Sequence, residues 1–110
     1  MKTSFIISIF TILLISCSSD SDNTIEPPVK NVTYANDIKS IIDSNCINCH
    51  SNPPKSGAPM ALVTLENVKE AVESRDLIGR VEDGSMPPSD ENLTADQIQL
   101  IKDWENNSFK

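Results

Sequence analysis

The chain predicts an all-α domain on three observations. Apolar residues recur at helical spacing, three segments begin at a threonine placed to cap a helix, and there is no β-rich alternating run or internal repeat. The charge balance of −7 over 110 residues disfavours nucleic acid and anionic lipid headgroups as partners and leaves a basic protein surface as the compatible one.

Taken from the N-terminus, residues 1–16 have the form of a bacterial secretory signal. Lys2 supplies the positive start, and Phe5 to Ile15 is an apolar stretch far shorter than the ~20 residues of a membrane-spanning helix. The segment ends Leu14-Ile15-Ser16-Cys17, which resembles a lipoprotein processing site. Cleavage there makes Cys17 the lipidated N-terminus, and it accounts for a third cysteine otherwise left over in an exported chain. Residues 17–30 are this cysteine followed by SSDSDNTIEPPVK, which is polar, acidic and ends in a Pro-Pro pair and Val-Lys, and predicts a flexible linker. The expected product is a lipoprotein facing the periplasm or cell exterior of a bacterium, tethered to a membrane and not embedded in it.

Residues 31–110 form the expected folded domain. Thr33 can cap a first helix through about Asn45, with Tyr34, Ile38, Ile41 and Ile42 on one face. Residues 51–59 hold three prolines and a glycine and predict a loop. Thr64 can cap a second helix, Leu65 to about Glu73, with Leu65, Val68 and Val72 as its apolar stripe. A further turn contains Leu77, Ile78 and Val81, and Gly84 to Ser89 is a proline-braced loop. The last helix has the clearest start: Thr94 and Gln97 spell a capping box, Leu93 and Ile98 a hydrophobic staple. It should reach about Asn106 and bury Ile98 and Ile101, with Leu100 and Trp104 as further candidates.

Between the first helix and the loop lies Cys46-Ile47-Asn48-Cys49-His50, which contains the sole histidine of the chain. Two thiols three positions apart can each add across a vinyl group of one haem, and the adjacent imidazole then faces the iron. A bare C-x-x-C also suits a redox disulfide or half a zinc site, but neither explains the histidine that follows directly, and no second Cys/His cluster completes a zinc site. A domain of about 80 residues is at the size where a staple or metal commonly supplements the core. Its aromatic content fits that need, since Tyr34, Trp104 and Phe109 are all that remain once the signal is removed.

His50 leaves a second axial position to fill. Met86, in the Gly84-Ser85-Met86-Pro87-Pro88 loop, is the stronger candidate, and Met60, followed by Ala61-Leu62-Val63, reads as a soft core residue.

In this order of parts, residues 31–110 resemble a small class I c-type cytochrome domain: a helix into Cys46-Ile47-Asn48-Cys49-His50, a middle helix, the Met86-Pro87-Pro88 loop, and a final helix with Trp104. The resemblance implies a cytochrome c-like fold of three to five helices around one covalent haem c. It implies thioether links at Cys46 and Cys49, a proximal His50, a distal Met86, and a Trp104 packed where the first and last helices cross. It also implies a proline carbonyl accepting the second ring proton of His50, with Pro54 and Pro59 both available. Arg75, Arg80 and Lys55 could pair with the haem propionates. The expected function is that of a monomeric, membrane-tethered one-electron carrier that meets redox partner proteins and is not an enzyme. Two other readings stand beside it: a haem-based gas or redox sensor in which Met86 is displaced, and a haem-free thiol redox or metal-binding lipoprotein.

Overall fold

The computed structural model describes residues 30–88 and 90–110. The expected signal at 1–16, Cys17 and the linker up to residue 29 lie outside the described residues. The described chain is helical with no strand: one π-helical turn, Tyr34–Ile38, runs into α1, Lys39–Asn45, followed by α2, Leu65–Ser74, α3, Leu77–Glu82, and α4, Ala95–Asn106. Among the described residues no helix is long and apolar enough to cross a membrane.

Each of the three expected threonine caps is present. The Thr33 hydroxyl accepts from the Asn36 N–H at 3.4 Å, Thr64 from the Asn67 N–H at 3.2 Å, and Thr94 from the Gln97 N–H at 3.2 Å. At Thr94 the box closes reciprocally, because its own N–H donates to the Gln97 side chain at 2.9 Å. The first helix differs from expectation in its opening turn. The Thr33 carbonyl accepts from the Ile38 N–H and the Tyr34 carbonyl from the Lys39 N–H, five residues on, so the turn is wider than an α-turn. That extra residue moves the carboxylate that reaches back to the cap by one position: the Thr33 N–H donates to Asp37 at 3.0 Å. This bond, with Lys30 as a second partner, holds the Asp37 carboxyl below its usual range.

The buried face of the first helix is Ile38, Ile41 and Ile42, with Tyr34 half-buried. It meets Val68, Ala71 and Val72 of α2, Leu77 and Val81 of α3, and Ile101 and Trp104 of α4 in one core. Leu93 is buried ahead of α4, whereas Ile98 and Leu100 are only partly covered, so the face of α4 that packs is narrower than its apolar pattern suggested. Along the chain the opening π turn packs on α4, and α3 packs against both α2 and α4. An exposed Glu82–Lys102 ion pair joins α3 to α4, an interaction of the class that contributes about 0–1 kcal/mol.

Trp104 is completely buried. Its ring lies 5.5 Å from Tyr34 and 4.9 Å edge-on from Phe109, centroid to centroid. Its indole N–H donates to the Lys110 carbonyl at 3.0 Å, the same oxygen that accepts from the Tyr34 N–H at 3.0 Å. Asn107 ties the other side, donating to the Asn31 side chain at 3.1 Å and the Val32 carbonyl at 3.2 Å. Trp104 therefore packs where the first and last helices meet, as a core residue with its one polar atom satisfied.

Replacing Trp104 with alanine should cost about 3–5 kcal/mol in urea unfolding, the range for a buried aromatic truncated to a methyl; a loss under 1 kcal/mol would mean that the crossing is not central to the core. Thr94→Ala should cost about 1 kcal/mol, the usual worth of a side-chain cap, and an unchanged unfolding midpoint would contradict the capping box.

Candidate functional site

The segment from Cys46 to His50 continues α1 as a looser turn. The Cys46 N–H donates to Ile42 at 2.9 Å, and the Cys46 carbonyl then accepts from the Cys49 N–H at 3.2 Å and the His50 N–H at 2.9 Å. One helical turn thus carries both thiols and the imidazole on successive positions around the same axis. The loop that follows is folded back on this turn by three bonds: Lys55 N–H to the Cys49 carbonyl at 2.8 Å, Leu62 N–H to the His50 carbonyl at 2.8 Å, and the His50 ring Nδ1 to the Met60 carbonyl at 2.8 Å. A carbonyl can only accept, so Nδ1 carries the proton and Nε2 is left with its lone pair.

The acceptor is therefore neither Pro54 nor Pro59 but the carbonyl one residue after Pro59. Met60 contributes to the site through its backbone as well as through its partly buried side chain. The sequence offers no sign of this, since which carbonyl of a proline-rich loop meets the ring depends on how the loop folds across ten residues.

The opposite side is built from the end of α3. Gly84, at φ +75, turns the chain out of the helix. The Met86 N–H then returns to the Arg80 carbonyl at 3.0 Å, and Ser85 is held by the Asp83 carboxylate at 2.8 Å through its N–H. Ser85 keeps the Asp83 carboxyl below its usual range. Met86 is half-buried in consequence, its backbone fixed at the last turn of a helix.

These two constructions border one cavity of about 500 Å³, whose walls include Cys46, Cys49 and His50 on one strand of chain and Met86, Pro87 and Pro88 on another. Leu62, Leu77, Val81 and Met60 also line it, so most of the wall is apolar. The volume lies within the roughly 300–1,000 Å³ of small-molecule and cofactor sites. The four residues expected to hold haem, Cys46, Cys49, His50 and Met86, thus share a cavity, as do Met60, Pro59, Arg75 and Arg80; Lys55, Pro54 and Trp104 do not line it. The donor set fits the group, with two thiols for the porphyrin edge and a nitrogen and a thioether for the iron.

The electrostatics separate Cys46 from reactive cysteines. Burial pushes the Cys46 thiol up to about 11, whereas a nucleophilic or metal-ligating cysteine is one whose thiolate is favoured. Among the described residues no group of three or more His, Cys, Asp or Glu converges to hold a metal ion by itself. No family model, curated protein or solved structure matches the chain.

Two outcomes test this geometry. Gly84→Ala forces a side chain into a left-handed backbone, with its Cβ 3.3 Å from the Asn92 side chain; it should lower stability by about 1–2 kcal/mol in denaturant unfolding, and no loss would contradict the turn that places Met86. In protein produced without haem attachment, Cys46 should react with iodoacetamide at pH 8 at least about tenfold more slowly than a free cysteine and speed up as the pH rises toward 11, because only the thiolate reacts. Equal rates at pH 8 would contradict the buried thiol.

Proposed function

We propose that the protein is a one-electron carrier: a small c-type cytochrome, exported and tethered to a membrane through lipidated Cys17. The observation that carries the reading is that Met86, far from Cys46, Cys49 and His50 in sequence, lines one mostly apolar cavity with them. The all-α arrangement of first helix, middle helices and capped last helix supports a cytochrome c-like fold.

In this reading Cys46 and Cys49 would hold haem c by two thioether bonds, each made by adding a thiol S–H across a vinyl group. His50 presents Nε2 to the iron while its Nδ1–H is fixed on the Met60 carbonyl, which sets the ring orientation and raises the basicity of the ligating nitrogen. Met86 comes from the facing wall on a backbone anchored to Arg80. Met60 is the weaker second ligand, since its own carbonyl is engaged by the imidazole on the proximal side. The bound group supplies an iron that alternates between ferric and ferrous states, at a potential raised by thioether ligation relative to two imidazoles. Leu62, Leu77 and Val81 give the cavity apolar walls beside His50 and Met86, and ligands fixed in this way would keep the rearrangement with each electron small. With His50 and Met86 both given over to holding the iron, no coordination site would be left for a substrate, which favours electron transfer over catalysis. The acidic balance of the chain suits redox partners with basic surfaces.

Protein from a host competent in cytochrome maturation should keep its haem on a denaturing gel and give low-spin visible spectra in both oxidation states. The reduced form should resist carbon monoxide, and Met86→Ala should bind it. Absence of covalent haem would refute the cytochrome assignment in favour of a thiol or metal-binding lipoprotein. Rapid stoichiometric carbon monoxide binding by the unsubstituted chain would point instead to a gas or redox sensor.

A further inference from the structure

The chain has 16 acidic residues against nine lysines and arginines, yet among the described residues no aspartate or glutamate lines the cavity. The charged side chains on its wall are Arg75 and Arg80. A wall that excludes the commoner charge and keeps the rarer one is selective for an anion. Covering a guanidinium with an uncharged apolar ligand would remove it from water with nothing in exchange.

The two arginines are not equivalent. The Arg75 Nε is shared between both carboxylate oxygens of Glu70, each at 3.0 Å, so its charge is already matched. Arg80 makes a single long contact, from Nε to the Arg75 carbonyl at 3.4 Å; among the described residues its terminal nitrogens have no hydrogen bond or ion pair. Asp83, three residues on, is committed to the Ser85 N–H at 2.8 Å. Arg80 also carries the carbonyl that anchors the Met86 N–H at 3.0 Å and accepts from the Ser85 hydroxyl at 3.3 Å.

We infer that Arg80, and neither Arg75 nor Lys55, is the counter-cation for the carboxylates of the ligand that fills this cavity, which on the haem reading are propionates. The inference rests on that reading. It means that one residue holds both the acidic edge of the ligand and the loop of its second axial donor. Arg80 is then a positioning residue: its guanidinium fixes which way round the group lies, and its backbone fixes Met86.

The test uses haem-loaded protein and measures the midpoint potential at pH 7 for Arg80→Gln, Arg80→Lys and Arg75→Gln. Reduction adds a negative charge beside the guanidinium, so its loss should disfavour the ferrous state. Arg80→Gln should lower the redox equilibrium constant at least about threefold, some 28 mV at 59 mV per tenfold, with an unchanged low-spin spectrum showing that Met86 has stayed in place. Arg80→Lys should restore most of the shift, and Arg75→Gln, already neutralised by Glu70, should move the constant by less than about half as much in logarithmic terms. An unshifted Arg80→Gln protein, or an equal shift in Arg75→Gln, overturns the assignment while leaving the haem reading intact. A chain without covalent haem overturns both.

Discussion

The site depends on a pair of bonds that close over His50. Its carbonyl accepts from the Leu62 N–H and its ring donates to the Met60 carbonyl, both at 2.8 Å. Between them these bonds fold a loop that has almost no regular structure of its own into one wall of the cavity. Its prolines remove donors and narrow the backbone choices, so little else can organise it. The same two bonds seat Leu62 in the core at 3% exposure, which joins the loop to the helices. The imidazole is thus both a product of the fold and a fastener of it.

The domain divides its apolar material unevenly. Its three described aromatics, Tyr34, Trp104 and Phe109, gather at the crossing of the first and last helices, and none of them lines the cavity. The crossing is consequently dense and hydrogen-bonded, with the indole nitrogen, the Tyr34 amide and the Asn107 amide all paired. The other end is walled by aliphatic, proline and sulfur-bearing side chains around open volume. The core is thus dense at one end and open at the other, in a chain near the lower size limit for an unaided hydrophobic core.

What was legible in the sequence was local. Thr33, Thr64 and Thr94 announce helix starts because a cap needs only the next three residues, and the stripes of α2 and α4 are set by periodicity alone. The convergence of Cys46, Cys49, His50 and Met86 was legible because the motifs that carry them are short and distinctive. The rest required three dimensions. The Met60 carbonyl displaces both prolines because the loop's register is a tertiary outcome. Asp37 serves as the return cap, one position late, because the first turn is π-helical. Arg75 and Arg80 read alike until Glu70 is seen to hold Arg75. That pair is five residues apart, off the ordinary helical spacing, because Arg75 has already left the helix at φ −130, ψ 12.

The beginning of the described chain is tied down at several points. Lys30 pairs with Asp37 at 3.0 Å, Asn31 and Val32 are held by Asn107, and the Tyr34 amide is held by Lys110. These contacts fasten the start of the described chain to the first turn and to the end of α4. None of these anchor residues lines the cavity. The ties that hold the start of the described chain are thus separate from the bonds that place His50 and Met86 around the cavity.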